Sequence, residues 1–212
     1  MGEAPASHGG TLQGAIVPVF PLPNVLLYPG CVMPLHIFEP RYRQMIEDLL
    51  DRSGRIAMGC IVEGELDEAG RPQVHPIAGL GEIARHERLP DGRYLVWLIG
   101  LTRARLHEVP SERLYRTARV ETLEDFVASA ESETRLRPKV QAALVTRVRE
   151  QIELPRQMPF GHLVDLLLQR LPLGGPQMRA LYSELSVERR AEGALAAHEL
   201  LPRVYPEAPD AG

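Results

Sequence analysis

Apolar and polar positions follow two rhythms along this chain, and the change falls near residue 125. Before it, short apolar runs of strand length are separated by turn-forming residues. They predict strands over 16–20, 26–35, 56–62, 76–89, 93–99, 102–107 and 114–123. The run 93–99 is apolar enough to be buried on both faces, whereas 102–107 sets Thr102, Ala104 and Leu106 against Arg103, Arg105 and His107, the pattern of a half-buried strand. Gly59 marks a bulge or a close passage, and Gly79 and Gly81 mark bends. Residues 63–71 read as a polar loop, and Pro90-Asp91-Gly92 as a hairpin turn. One helix interrupts the strands at 40–52, where Tyr42, Met45, Ile46, Leu49 and Leu50 form a single stripe and Arg41, Arg43, Glu47, Asp48 and Asp51 lie outside it. Short turns and the absence of a strand-helix-strand rhythm point to a closed or nearly closed barrel, which also removes sheet edges.

The second rhythm is helical. Leu136, Val140, Leu144, Val148 and Ile152 make a stripe over 135–153, with Pro138 near the start and Pro155 and Pro159 after the end. The stretch 160–171 is almost wholly apolar and predicts the buried helix of a bundle. A short helix over 177–184 follows Pro176, and Ser186 is an N-cap for a last helix over 187–201. The small residues of that helix, Ala191 and Ala194, predict close packing beside Leu195 and Leu201. Composition marks 1–14 as a disordered tail and 204–212 as a loose one.

Six prolines punctuate residues 17–43. Proline lacks a donor and fixes φ, so it belongs at strand ends, edges, turns and the first turn of helices. The elements Val17-Pro18-Val19-Phe20-Pro21-Leu22, Pro29-Gly30 and Pro34-Leu35-His36-Ile37-Phe38-Glu39-Pro40-Arg41-Tyr42 resemble the N-terminal, substrate-binding domain of the Lon protease family. More closely, they are similar to bacterial stand-alone proteins that carry this domain alone. Leu89-Pro90-Asp91-Gly92, followed by an apolar strand and Gly100, fits the same pattern. The resemblance covers roughly 15–201 and is loosest over the helices. It implies an α+β protein: a PUA-like β-barrel or sandwich with one inserted helix over 15–125, then a C-terminal helical bundle over 133–203.

Composition adds bounds. An apolar fraction of 44% and a charged fraction of 25% are those of a globular protein, and a net charge of −4 gives no general attraction to nucleic acid or anionic membrane. Lys139 is the single lysine; coding bias is the ordinary explanation, and selection of arginine for planar contacts is the alternative. Cys31 and Cys60 sit in apolar runs and read as buried free thiols. No charged-then-apolar leader pattern opens the sequence, and no apolar run approaches the roughly 20 residues needed to span a bilayer, so cytoplasmic residence is the default expectation.

The chemistry-bearing patterns are sparse. No Gly-x-x-x-x-Gly-Lys loop cradles phosphate, Lys139 lacks the setting of a Ser-Lys dyad, and no Gly-x-Ser-x-Gly occurs. The seven histidines show no metal-ligand spacing. No enzyme, cofactor or metal is expected. Binding remains. One candidate surface for polypeptide comprises Phe20, Leu22, Tyr28, His36, Phe38, Arg41 and Tyr42, weighed against core positions with Glu39 and Arg41 holding the strand-helix junction. Another is basic: Arg85, Arg88, Arg103, Arg105, His107, Arg116 and Arg119, interrupted by Glu82, Glu87, Glu108, Glu112 and Glu121 and poor in aromatics, hence a charge-mixed face rather than an RNA surface. The resemblance implies non-enzymatic recognition of unfolded, damaged or specific substrate polypeptides, as an adaptor in protein quality control or beside a separate protease. An RNA-binding PUA-like module and an ATP-independent peptidase are the alternatives. Oligomeric state is not set by the sequence.

Overall fold

The computed structural model describes residues 12–50, 53–148, 155 and 157–201, and the chain divides between Leu123 and Glu124 into two compact units. The first holds β1 (Ile16–Pro23), β2 (Val32–Ile37), α1 (Pro40–Leu50), β3 (Arg55–Leu66), β4 (Pro72–Val74), β5 (Ile77–Arg88), β6 (Tyr94–Val109) and β7 (Arg116–Leu123). The second holds α2 (Ala130–Val145), α3 (Phe160–Arg170), α4 (Gly175–Ser183) and α5 (Val187–Leu200).

The strands close into a ring. Neighbours run β1-β7-β6-β5-β3, and β3 returns to β1. The closing pair is parallel, with Val19 opposite Ala57, and every other pair is antiparallel. β2 adds to the first half of β6, and β4 to β3. The stretches expected as separate strands at 93–99 and 102–107 are one long strand, β6. Register shifts between Leu80 and Gly81 and between Ile83 and Arg85 let β5 and β6 bend together without ending.

The predicted strand 26–35 divides. Only β2 joins a ladder. Leu26, Leu27 and Tyr28 are buried outside any strand, and their backbone lies directly on glycines of β5 and β6. A Cβ on Gly79 would stand 2.2 Å from the Leu27 carbonyl oxygen, and one on Gly100 2.1 Å from that of Tyr28. Pro29-Gly30 then turns the chain, with Gly30 at φ 75°. Gly30 N–H donates to Gly100 O at 2.8 Å and Gly100 N–H to Cys31 O at 2.9 Å, so Gly100 clasps the crossing from both sides.

The core forms where this crossing meets α1. Tyr42, Met45, Ile46 and Leu49 pack with Leu27, Ile37, Ile56, Met58 and Leu98, while Leu50, at the edge of the predicted stripe, is 37% exposed. Arg103 departs from its expected outward position. It is 2% exposed, because Tyr28 covers that face of β6, its ring 5.9 Å from the guanidinium. Cys60 is buried and Cys31 half-buried, and neither is joined in a disulfide.

The loop expected at 63–71 is shorter, since β3 runs on to Leu66. Asp67 organises the turn to β4: its Oδ1 accepts the Ala69 N–H at 3.0 Å and the Arg71 N–H at 2.8 Å. The Arg71 N–H, then its guanidinium, holds the Asp67 carboxyl below its ordinary value of 3.8. A depressed carboxyl contributes stability above its unfolded value and loses it as pH falls through the folded one. Protection of the Arg71 amide, its exchange rate relative to an unstructured amide at the same pH, is therefore expected to hold near neutrality and to fall only below pH 3.8. Of the tail expected over 1–14, residues 12–14 are held to β7, Gln13 Oε1 accepting the Thr122 N–H and Gly14 N–H donating to Val120 O. Residues 1–11 and the tail over 204–212 lie outside the described residues.

In the second unit α2 starts at Ala130, earlier than expected, because Ser129 caps it by accepting the Ser132 N–H at 3.1 Å. Pro138 is therefore interior to the helix. Leu136, Val140 and Leu144 are buried, Val148 lies beyond the helix half-buried, and Ile152 is outside the described residues. Ser186 caps α5 as expected, and Ala191, Ala194 and Ala197 are buried along it.

Two arginines are built into this unit. Arg190, fully buried, forks onto Asp125 through both carboxylate oxygens, meets Asp165 at 3.1 Å and donates to Glu184 O at 2.6 Å. Arg147 donates to the carbonyls of His198 at 3.1 Å and Leu201 at 3.3 Å and so reinforces the end of α5, where His198 O also accepts the Leu201 N–H at 3.3 Å. These contacts need a planar fork of donors, which lysine lacks. Among the described residues no helix is long and apolar enough to cross a membrane.

Candidate functional site

The outer face of β2 and the first half of β6 is apolar. Val32, Pro34 and His36 stand opposite Ile99, Trp97 and Leu95, so these six share one face. The other face carries Leu35, Ile37, Tyr94, Val96 and Leu98 and is core. The expectation that 93–99 is buried on both faces holds for one only: Leu95, Trp97 and Ile99 are half-buried, and Val32 is 56% exposed. Phe38, just past β2, is 59% exposed, its ring 5.9 Å from that of His36. The Arg85 guanidinium lies 4.7 Å from the Trp97 ring and forms the far rim. Elsewhere most outward positions of the barrel are polar or charged, as with Arg105, His107, Arg119 and Glu121, with Ile16, Leu66 and Leu101 as apolar exceptions. β2 pairs with β6 alone, and Pro34 in its middle has no N–H to offer a further strand.

Three residues beyond Phe38 begins a cleft of about 490 Å³. Pro21, Ile61, Pro72, Val109 and Leu114 supply apolar lining, and Arg41, Arg71, Arg113 and Arg116 line it with one carboxylate, Glu108. Arg116 is the internal brace: it pairs with Glu108, donates to Pro72 O at 2.7 Å and reaches Asp67 at 3.3 Å. Arg41 stacks over Tyr42 at 4.4 Å and pairs with Glu39 at 2.8 Å. Arg113 pairs with Asp48 at 3.3 Å, and Tyr115 donates to the same carboxylate at 2.8 Å, which holds the β6–β7 loop to α1. Burial pushes the Tyr42 hydroxyl above its ordinary value of 10.0, against the pull of Arg41, so it is a neutral donor.

The seven sequence candidates fall into three groups. Phe20, Tyr28 and Tyr42 are buried, with Phe20 and Tyr42 in edge-to-face contact at 4.4 Å. Leu22 is half-buried. His36, Phe38 and Arg41 are exposed, the first two on the apolar face and the third in the cleft. Sequence reasoning missed Val32, Trp97, Arg113 and Leu114. Trp97 carries a signal, the apolar run over 94–99, that points equally to burial on both faces. The basic residues read as a second surface are dispersed: Arg103 is core, Arg105 and His107 meet Glu121 at 3.8 and 3.3 Å, and Arg116 is committed to Glu108. Lys139 is exposed on α2, and among the described residues no cluster of His, Cys, Asp or Glu forms a metal site.

Comparison with known proteins covers the same span. The family described as the ATP-dependent protease La (LON) substrate-binding domain matches residues 16–197. A Lon protease of Flavobacterium johnsoniae is 25% identical over 185 residues, 82% of this chain and 23% of its own length. Lon protease 2 of Sorangium cellulosum is 31% identical over 171 residues, 74% of this chain and 20% of its own. The chain thus spans about a quarter or less of the curated relatives it matches. The crystal structure of a Lon N-terminal domain protein from Xanthomonas campestris superposes with a TM-score of 0.65 at 22% identity, over 86% of this chain and 98% of that one, a likeness of fold.

Proposed function

The chain belongs to the LON substrate-binding domain family, and from that premise we propose that it recognises extended polypeptide on the outer face of β2 and β6, without catalysis of its own. The carrying observation is that Val32, Pro34, Phe38 and Trp97 stand together on one face, whereas most other outward positions of the barrel are polar or charged. An unfolded segment lays apolar side chains against this face, and their removal from water drives binding. Pro34 directs the mode: an edge strand broken by proline favours side-chain burial over strand addition. His36 and Phe38 border the patch at one end, and Arg85 at the other. The match to a domain named for substrate binding supports the reading, as do the dispersal of the basic residues and the exposed, unremarkable setting of Lys139. In a cell this activity serves protein quality control, as an adaptor that delivers client chains to a separate protease.

The test is binding of fluorescent casein. Val32→Ser with Phe38→Ser removes two exposed apolar side chains, so the fold is expected to melt unchanged. Each removes about 1.5–3 kcal/mol of potential burial, so affinity is expected to fall at least about tenfold. Equal affinity of the double variant and the parent would sink this placement of the site.

A further inference from the structure

We propose that the cleft beside α1 is selective for anionic polypeptide: it takes an apolar side chain together with a neighbouring carboxylate, so that preferred segments are acidic and apolar in alternation. The inference deepens the proposed recognition of polypeptide and rests on it.

The charge balance of the lining points this way. Four arginines and one carboxylate line the cleft of a protein whose net charge is −4, and of the four Arg71 and Arg116 are already answered by Glu108 and Asp67. The carboxylates that answer Arg41 and Arg113, namely Glu39 and Asp48, lie outside the lining. These two arginines are therefore the adjustable ones. Each side chain is 51% exposed, and an exposed ion pair exchanges partners at little cost. Arg116, at 12% exposure and bonded to Glu108, Pro72 and Asp67, stays in place and fixes the wall behind them. The two adjustable guanidiniums come from different elements, α1 and the β6–β7 loop. A carboxylate between them accepts from planar donor forks, the geometry arginine supplies best.

The apolar half of the recognition is Leu114, 67% exposed on the loop, opposite Pro21, Ile61 and Pro72. An isolated phosphate or a nucleic acid leaves this lining unused. A polypeptide with alternating apolar and acidic side chains uses both halves. A lysine-rich segment meets like charge and is rejected.

Three short fluorescent peptides, identical in their leucine and phenylalanine positions and carrying aspartate, asparagine or lysine between them, decide the matter by anisotropy. The aspartate peptide is expected to bind about tenfold tighter than the asparagine peptide, the scale of one charge-assisted hydrogen bond. That preference is expected to shrink at high salt, a measurement on the unaltered protein. In Arg41→Gln with Arg113→Gln, melting unchanged, the aspartate and asparagine peptides are expected to bind alike. Equal binding of these two peptides to the parent, or a preference for lysine, overturns the anionic selectivity and leaves recognition of polypeptide standing. Failure of all three peptides, and of casein, overturns both.

Discussion

Gly100→Ala is expected to leave the barrel unfolded or nearly so. The added methyl would sit 2.1 Å from the Tyr28 carbonyl oxygen and 2.9 Å from its carbon. Both are backbone atoms, held by the pairing of Gly30 N–H with Gly100 O and of Gly100 N–H with Cys31 O. No rotamer change relieves the overlap; the crossing segment has to leave β6. Overpacking of a core commonly costs 1–3 kcal/mol, and a clash on fixed backbone belongs at or above about 3 kcal/mol. Trp97, the single tryptophan, lies three residues away on the same strand and reports the loss directly in urea titrations followed by fluorescence. Gly174→Ala is the control. Nothing lies within 4 Å of its Cβ position and its φ is −65°, so only the preference of a helix N-cap for Gly over Ala remains, about 1 kcal/mol or less. Similar midpoints for the two variants would refute the close approach.

Arg190→Met is expected to cost about 3–5 kcal/mol, the price of leaving a buried carboxylate without its cation. Asp165 is 1% exposed and cannot turn to water, and the Glu184 carbonyl loses a 2.6 Å donor. Asp125 has access to solvent and contributes less. The cost therefore belongs mainly to Asp165, and Arg190→Met combined with Asp165→Leu is expected to regain half of it or more, because apolar replacement of a buried pair is often neutral. Far-UV circular dichroism under denaturant reads the helices. A single variant within about 1 kcal/mol of the parent, or a double variant worse than the single, would show that the buried charges are not what Arg190 balances.

The barrel was legible because its strands carry the pattern that their own burial requires. The same logic explains what was not legible. Leu26, Leu27 and Tyr28 are extended and apolar whether or not they join a ladder; what excludes them from one is the bare backbone of Gly79 and Gly100, far along the chain. At Gly79 the sequence suggests a bend and the structure shows a close passage of Leu27, while the irregularity of the ladder falls between Leu80 and Gly81. Arg103 alternates correctly for an outward residue and is buried because Tyr28 arrives over it. The start of α2 was misplaced because its first turn is polar, Ala130 to Thr134, and the cap at Ser129 carries the signal without an apolar stripe.

The candidate surface was legible in part for a related reason. Aromatic residues fill cores more often than they line surfaces. Phe20, Tyr28 and Tyr42 followed that rule, and His36 and Phe38 fell on the outward phase of β2. An apolar residue at every position of 94–99 says that both faces avoid water. It does not say whether this chain or another molecule covers the second one. The arginine bias had a similar ambiguity. Coding bias explains a surface rich in arginine, whereas Arg147 and Arg190 each satisfy several acceptors that a single ammonium could not reach together.

The ring that β1 closes has a consequence for the order in which the protein is made. Ile16 pairs with Arg119, so the first strand to be synthesised waits for the last before its antiparallel partner exists. Until then its parallel contact with β3 is its only pairing, and Val17, Val19 and Phe20 lack their full cover. Pairings so distant in sequence form slowly, and unpaired apolar strands are where nascent chains aggregate. Until β7 is made, β1 is thus itself an apolar segment of the kind we propose this domain recognises.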